Sequence, residues 1–277
     1  MLPYLPLIII FAFALLHALT RPRRSVRPFT IAHRGGAKLA PENTLAAIRA
    51  GVETGASHIE IDIRRAADGV LVVIHDRDLS RVTGQGGKVD EMTSAEITQR
   101  RALGADLTPG PSPTGRGERV LAEDQVPILD SVLKFIAGKA VTLAVEVKDP
   151  ARYPGIETQI VEALERTGTR QQVVVGSFDH AWLATFHAAA PDVPGVPIAD
   201  WWTRMPAGAA FKQVDVDWRR VLLDPTFVRR MRGQGRHVLV WTVDSPALMR
   251  LLIWLGVEGI TTNRPDLAQT IVGQVGK

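Results

Sequence analysis

From residue 29 onward, short β-branched runs alternate with amphipathic stretches, and that alternation leaves few folds open to the chain. FTIAH (29–33), HIEIDIRR (58–65), TLAVEV (142–147), VVVGSF (173–178) and HVLVWTV (237–243) read as strands because they are rich in Val, Ile and Thr and bounded by turn residues. GITTN (259–263) closes the series, and VPIAD (196–200) and DWRRVLL (217–223) bring the count to eight. PENTLAAIRAGVETGA (41–56) reads as a helix, with Asn43 or Thr44 placed to cap it and Gly55 to end it. YPGIETQIVEALERTG (153–168) and PALMRLLIWLG (246–256) carry similar helical patterns. Repeated strand–helix units imply a parallel sheet, and eight of them make an α/β protein of the TIM (β/α)8 barrel type. An open doubly wound sheet is the alternative, but no glycine-rich dinucleotide loop supports it.

One apolar run stands outside this series. VLVVIH (70–75) follows HIEIDIRR too closely for a parallel crossover, which needs a dozen or more residues. The intervening AADG (66–69) is a hairpin signal, with Asp68-Gly69 suited to a type I′ turn. Folding about that turn pairs residues whose numbers sum to about 137, setting His75 opposite Asp62, or opposite Glu60 if the turn shifts by one.

Those two acids carry the chemistry. Glu60 and Asp62 are two apart on a strand, so their carboxylates share one face. Ile59, Ile61 and Ile63 occupy the other face, where an outer helix layer covers them, and the acids must then point into the barrel. Two buried like charges are costly without a cation, and oxygen ligands suit a hard divalent ion, Mg²⁺ or Ca²⁺. Glu146, at the end of another apolar strand, supplies a third ligand. Lys148 shares its face and offers a charge to a phosphate oxygen. His33 and His75 each end an apolar run and make a pair of proton carriers converging on the carboxylates. Beside His33, Arg34 can grip two phosphate oxygens at once. Trp241 ends a strand and can floor the site by stacking on a polyol. Ser177 and Phe178 reach the same rim, while His58, His180, His187 and His237 read as ordinary polar residues.

Charge and composition narrow the partners. The formal net charge of +4 comes from Arg21, Arg23, Arg24 and Arg27, since residues 1–27 contain no acid and the remainder carries 29 basic against 29 acidic residues. A neutral body argues against a nucleic-acid partner. The absence of cysteine excludes disulfides and thiolate metal sites. Ahead of the basic cluster, LPYLPLIIIFAFALLHAL runs for eighteen residues without a formal charge, long enough to span a hydrocarbon core of about 30 Å. Residues 1–20 are therefore expected to form a hydrophobic membrane-anchoring helix, with a cleaved signal and an exported protein as the alternative. Residues 21–28 form a basic linker that favours the cytoplasmic side for the barrel of residues 29–277. Within that barrel, residues 104–125 are rich in Pro and Gly and poor in apolar side chains, the composition of a mobile loop.

Taken together, HRG (33–35), PENT (41–44), EID (60–62), HD (75–76), EVK (146–148), SF (177–178), WTV (241–243) and GITTNRPD (259–266) resemble the glycerophosphodiester phosphodiesterase family, in family order over nearly all of the chain past residue 30. The resemblance implies a TIM barrel of the phospholipase C-like phosphodiesterase type, with a small insertion after the second strand. It implies one divalent cation held by Glu60, Asp62 and Glu146, His33 and His75 as acid and base, phosphate bound by Arg34 and Lys148, and glycerol contacted by Trp241. The expected reaction is hydrolysis of a small glycerophosphodiester to sn-glycerol 3-phosphate and an alcohol, with His75 as base and His33 as acid. Phospholipase D-like hydrolysis of a membrane lipid or lysophospholipid keeps the same site, whereas a catalytically silent, membrane-tethered phosphodiester-binding protein would not need two proton carriers. The family usually ends its last strand in Thr-Asp, whereas here Asn263 stands in the acidic position, a change expected to weaken local hydrogen bonding while removing no ligand.

Overall fold

The strands expected from the alternation close on themselves in the computed structural model, which describes residues 27–104, 123–206, 211–224 and 226–275. Eight parallel strands form the barrel: β1 (Phe29–Ala32), β2 (His58–Arg65), β4 (Thr142–Val147), β5 (Val173–Ser177), β6 (Gly195–Ala199), β7 (Gln213–Asp217), β8 (His237–Trp241) and β9 (Gly259–Thr262). Strand β1 pairs with both β9 and β2, which removes the sheet edges. The ninth strand, β3 (Leu71–Val73), is the hairpin partner, antiparallel to β2.

Strand alternation sorts the side chains between two environments. Along β4, Leu143, Val145 and Val147 are buried beneath the helices, while Thr142, Ala144 and Glu146 face the partly accessible interior. On β2, Ile59, Ile61 and Ile63 are fully buried on the outer face, each stabilising the fold by about 1.5–3 kcal/mol. Their burial fixes Glu60 and Asp62 on the inner face. The interior near the barrel floor is filled by Ile31, Val196 and Leu239 with Phe29 and Val174, so the barrel is packed below and polar at its carboxyl mouth.

Helix boundaries follow capping chemistry. Helix α1 (Leu45–Glu53) is capped by Thr44, whose Oγ1 accepts from the Ala47 amide at 3.2 Å, and Gly55 takes the left-handed conformation just beyond it. Asn43 does not cap; its side chain serves the site instead. In the insertion, α2 (Ser80–Thr83) and α3 (Ser94–Thr98) precede α4 (Leu129–Ile136), and Thr93 with Glu96 forms a capping box at α3. Helix α5 (Ile156–Thr167) buries Ile156, Ile160, Ala163 and Leu164 and stops at Gly168, φ +67°. That spacing is the 3.6-residue period of one buried face.

Two sequence expectations are corrected here. DWRRVLL contributes only Asp217 to a strand; Trp218–Leu223 is a helix, α6 (His180–Ala189) being followed by this α7. The true strand is QVDVD, whose acids at every second position disguise it, and Val221 is the buried residue of the helical turn. The hairpin register also differs. Ile63 pairs with Val73, Arg64 with Val72 and Arg65 with Leu71, a sum of 136 rather than 137. Continued, that ladder would set His75 opposite the outward-facing Ile61. The chain instead leaves the ladder after Val73, and the Arg64 side chain catches the His75 carbonyl at 2.8 Å.

Residues between β3 and β4 form the small insertion, with its own apolar cluster of Val72, Ile74, Leu79, Val82, Val89 and Ile97. Within it, an antiparallel bridge joins Arg101 to Gln125. Most of the 104–125 segment lies outside the described residues, as does the 1–20 segment expected to be a membrane helix. Among the described residues, no helix is long and apolar enough to cross a membrane. Helices α8 (Phe227–Gly233), α9 (Pro246–Trp254) and α10 (Pro265–Gln274) complete the outer layer.

Candidate active site

At the carboxyl end of β1 the chain turns sharply, and the turn is what presents His33 and Arg34. Arg34, Gly35 and Gly36 have φ of +51°, +84° and +118°, a left-handed run that only glycine adopts without cost. A Cβ on Gly35 would lie 2.6 Å from the Ile48 amide nitrogen, so this glycine also allows α1 to press against the turn. The Arg34 amide donates to Glu60 Oε2 at 2.7 Å, which ties the turn to β2.

Three carboxylates meet at the mouth. Asp62 of β2 pairs in register with Glu146 of β4, and Glu60 lies two residues earlier on the same face. One oxygen from each of Glu60, Asp62 and Glu146 can be chosen so that all lie within 4.8 Å of one another. The Asn43 side chain donates to Asp62 Oδ2 at 2.9 Å and accepts from the Asp62 amide at 3.1 Å. Lys148 Nζ is 3.1 Å from Asp62 Oδ1 and also pairs with Glu146 Oε1, while Arg34 Nε is 3.3 Å from Asp62 Oδ2.

The electrostatics are those of an over-filled acidic cluster. Burial, reinforced by the neighbouring Asp62 and Glu146 charges, raises the Glu60 carboxyl well above the usual range. Burial also lifts Glu146 to about 7, with Asp62 adding to the rise and Lys148 opposing it. For Asp62 burial acts upward too, yet Lys148 and Arg34 together hold it well below the ordinary carboxylate value. Glu60 Oε1 is buried without a hydrogen-bond partner. An all-oxygen donor set, a partnerless buried carboxylate oxygen and carboxyls raised by mutual repulsion fit a hard divalent cation.

His33 stands against this cluster, and Asp62 lies within electrostatic range of both His33 and His75. His33 Nε2 is 4.0 Å from Glu60 Oε2, and its Nδ1 lies 2.7 Å from Asn263 Oδ1. His75 Nδ1 lies 2.6 Å from Asp76 Oδ1. The two rings therefore have different backing, a neutral amide behind His33 and a carboxylate behind His75. Burial, with the Arg34 charge, lowers His33 to about 4. Burial also lowers His75, with Asp62 and Asp76 pulling the other way.

Trp241, at the end of β8, stands edge-to-face with Phe178 at 5.6 Å between centroids, and the Lys148 ammonium is 5.8 Å from the Phe178 ring. A cleft of about 530 Å³ runs from Glu146 and Lys148 past Phe178 to Arg152. Ser177 does not present a free hydroxyl: its Oγ donates to the Val147 carbonyl and accepts from the Asp179 amide, both at 3.1 Å. The structure thus gathers every site residue expected from sequence around one mouth.

It also adds residues that sequence reasoning passed over. Asp76 follows His75 directly, and the His-Asp pair was visible but given no role. Arg81 of the insertion bonds both Asp76 and Glu42, and Glu42 bonds Arg34 at 2.8 Å, so a chain of charges links the two halves of the site. Asn263, expected to weaken local bonding, instead makes a full set: its Nδ2 and backbone amide both donate to Asp244 at 2.9 Å. Asp215 faces the interior, where burial and the Glu146 charge raise it to about 8. No sequence signal marked Asp215 or Asp244.

The model of the Glycerophosphoryl diester phosphodiesterase family matches residues 33–267. A glycerophosphodiester phosphodiesterase of Caldanaerobacter subterraneus subsp. tengcongensis is 30% identical over 254 residues, which is 91% of this chain and 100% of that protein. The crystal structure of a glycerophosphodiester phosphodiesterase from Agrobacterium tumefaciens superposes with a TM-score of 0.69 at 26% identity, covering 89% of this chain and 99% of that one. A phosphodiesterase from Oleispira antarctica, solved with the product sn-glycerol-3-phosphate, shares the fold with a TM-score of 0.72 at 23% identity, covering 89% and 97%.

Proposed function

The chain belongs to the glycerophosphoryl diester phosphodiesterase family, and on that premise we propose how its own residues hydrolyse a glycerophosphodiester to sn-glycerol 3-phosphate and an alcohol. The observation that carries the reading is the meeting of two imidazoles with two buried carboxylates, a third partly buried one and two partly buried cations at one barrel mouth. Glu60, Asp62 and Glu146 would hold the divalent ion, Mg²⁺ or Ca²⁺, which when bound supplies charge neutralisation at the phosphodiester. Arg34 and Lys148 stand beside those carboxylates and stabilise the charge that grows on the phosphoryl oxygens.

Proton transfer follows from the backing of each ring. His33 rests on a neutral amide and remains unprotonated, so its Nε2 takes the proton of the attacking oxygen. Burial disfavours the His75 imidazolium, but the Asp62 and Asp76 carboxylates oppose that effect and Asp76 backs the ring as the proton is held, so His75 gives its proton to the alcohol oxygen as the P–O bond breaks. This reverses the assignment expected from sequence. The attacking oxygen belongs to water, or to the neighbouring glycerol hydroxyl with a cyclic phosphate opened by water in a second step. Trp241 and Phe178 form an aromatic wall against which the glycerol carbons pack.

A lysophospholipid is the second reading, favoured by the exposed Trp201 and Trp202 just past the carboxyl end of β6. In either case residues 1–20 would tether the barrel to a membrane, with the basic residues 21–28 keeping it on the cytoplasmic side. Incubation with glycerophosphocholine, glycerophosphoethanolamine and lysophosphatidylcholine, followed by product analysis, tests the reading. Release of sn-glycerol 3-phosphate from the two soluble diesters supports it, turnover of the lysolipid alone supports the second reading, and no turnover of any refutes both.

A further inference from the structure

The asymmetry behind the two imidazoles has a structural cause that reaches beyond the reaction itself. Asp244, in the segment after β8, accepts from the Asn263 amide nitrogen and the Thr262 hydroxyl through Oδ1, and from Asn263 Nδ2 through Oδ2. It also pairs with Lys38 at 3.3 Å. The hydrogen bonds from Asn263 and Thr262 keep Asp244 ionised against the effect of its partial burial, and an ionised carboxylate can only accept. The NH₂ end of the Asn263 side chain must therefore face Asp244, which leaves the Oδ1 end facing His33. A carbonyl oxygen cannot donate, so the hydrogen in the 2.7 Å contact belongs to His33 Nδ1. A neutral imidazole carries one such hydrogen. Nε2, the nitrogen that faces Glu60 Oε2, is then bare.

We infer that Asn263, oriented by Asp244, is a positioning residue that locks His33 in the Nδ1–H tautomer and aims a lone pair at the reacting oxygen. Residue 263 is suited to this only as an amide in the present surroundings. A carboxylate there would stand 2.9 Å from that of Asp244, and two like charges at that distance cannot both remain ionised. The catalytic consequence rests on the function proposed above; the tautomer itself does not, and the two are read separately.

The test uses the full chain labelled with ¹⁵N-histidine and a long-range ¹H–¹⁵N correlation spectrum recorded without substrate. The His33 signals are identified by their loss in His33→Gln. A protonated Nδ1 and bare Nε2 are expected. Asn263→Leu should mix the tautomers and lower kcat on the order of 10- to 100-fold with KM unchanged, by analogy with the loss on removing the hydrogen-bond partner of a metal-bound histidine. The exchange Asn263→Asp with Asp244→Asn reverses the donor between the two positions and keeps an acceptor behind His33, so it should restore the tautomer and most of kcat. An Nε2–H tautomer in the unaltered chain overturns the inference whether or not the variants fold. So does Asn263→Leu with the original tautomer. A chain with the expected tautomer but no activity on any glycerophosphodiester refutes the proposed function and leaves the lock supported.

Discussion

Lowering the pH from 8 to 5 should weaken divalent-ion binding at least about 100-fold. Ligand carboxylates must be deprotonated to coordinate a metal, and burial lifts the Glu146 carboxyl to about 7. At pH 8 roughly nine in ten copies of that carboxyl are ionised; at pH 5 about one in a hundred is, a difference of about 2.7 kcal/mol at 1.36 kcal/mol per unit. Glu60, raised well above its usual value, adds to the loss, whereas Asp62 stays ionised throughout and contributes nothing. Folding stability is a poorer probe, because two groups oppose one another. Glu146, raised on folding, contributes stability present below about pH 4.5 and lost as pH rises through about 7. His33, lowered from 6.5 to about 4, contributes stability present above 6.5 and lost as pH falls through about 4. Binding avoids this cancellation. Titration calorimetry with Mg²⁺ and Ca²⁺ at pH 5, 6, 7 and 8, in buffers of different ionisation heat, measures both the affinity and the protons released. About one proton or more should leave near pH 6. An affinity flat from pH 5 to 8 with no proton release would refute the acidic trio as the ion site.

Other perturbations follow from the same geometry. Gly35→Ala places a Cβ against the Ile48 amide at φ +84°; strain of about 1–3 kcal/mol should lower the melting temperature and, because this turn presents His33 and Arg34, kcat as well. Asp76→Asn removes the charge behind His75 and should lower kcat on the order of 10- to 100-fold with KM unchanged, as measured by steady-state kinetics on glycerophosphocholine. Thr44→Ala removes the α1 cap and should cost about 1 kcal/mol in denaturant unfolding with little effect on catalysis.

The barrel was legible because period-two alternation is strong where strands are apolar on their outer face, as in HIEIDIRR and TLAVEV. It failed at QVDVD, where inward acids broke the apolar run, and at Trp218–Leu223, where a short helix at the rim carried a strand-like cluster of Val221, Leu222 and Leu223. The acidic trio was legible for the same reason as the strands: Ile59, Ile61 and Ile63 fix which way Glu60 and Asp62 point. The groups behind the catalytic rings were not. Asp244 and Asn263 lie 19 residues apart on successive loops, and His33 meets Asn263 across 230. Only closure of β9 on β1 brings them together. Likewise, His75 reaches the acids by leaving its ladder rather than by its register, which no turn rule reveals.

The division of labour between the two imidazoles is tested most directly by changing the leaving group. Turnover of glycerophosphocholine and of the p-nitrophenyl ester of glycerol 3-phosphate would be compared in the unaltered chain, His33→Ala and His75→Ala. On glycerophosphocholine both variants should lose about 10²- to 10⁴-fold, the usual worth of general acid–base catalysis. A nitrophenolate departs without a proton, so the His75→Ala deficit should shrink at least about 10-fold on the ester while the His33→Ala deficit stays. The opposite pattern, or equal deficits on both substrates, would contradict the account.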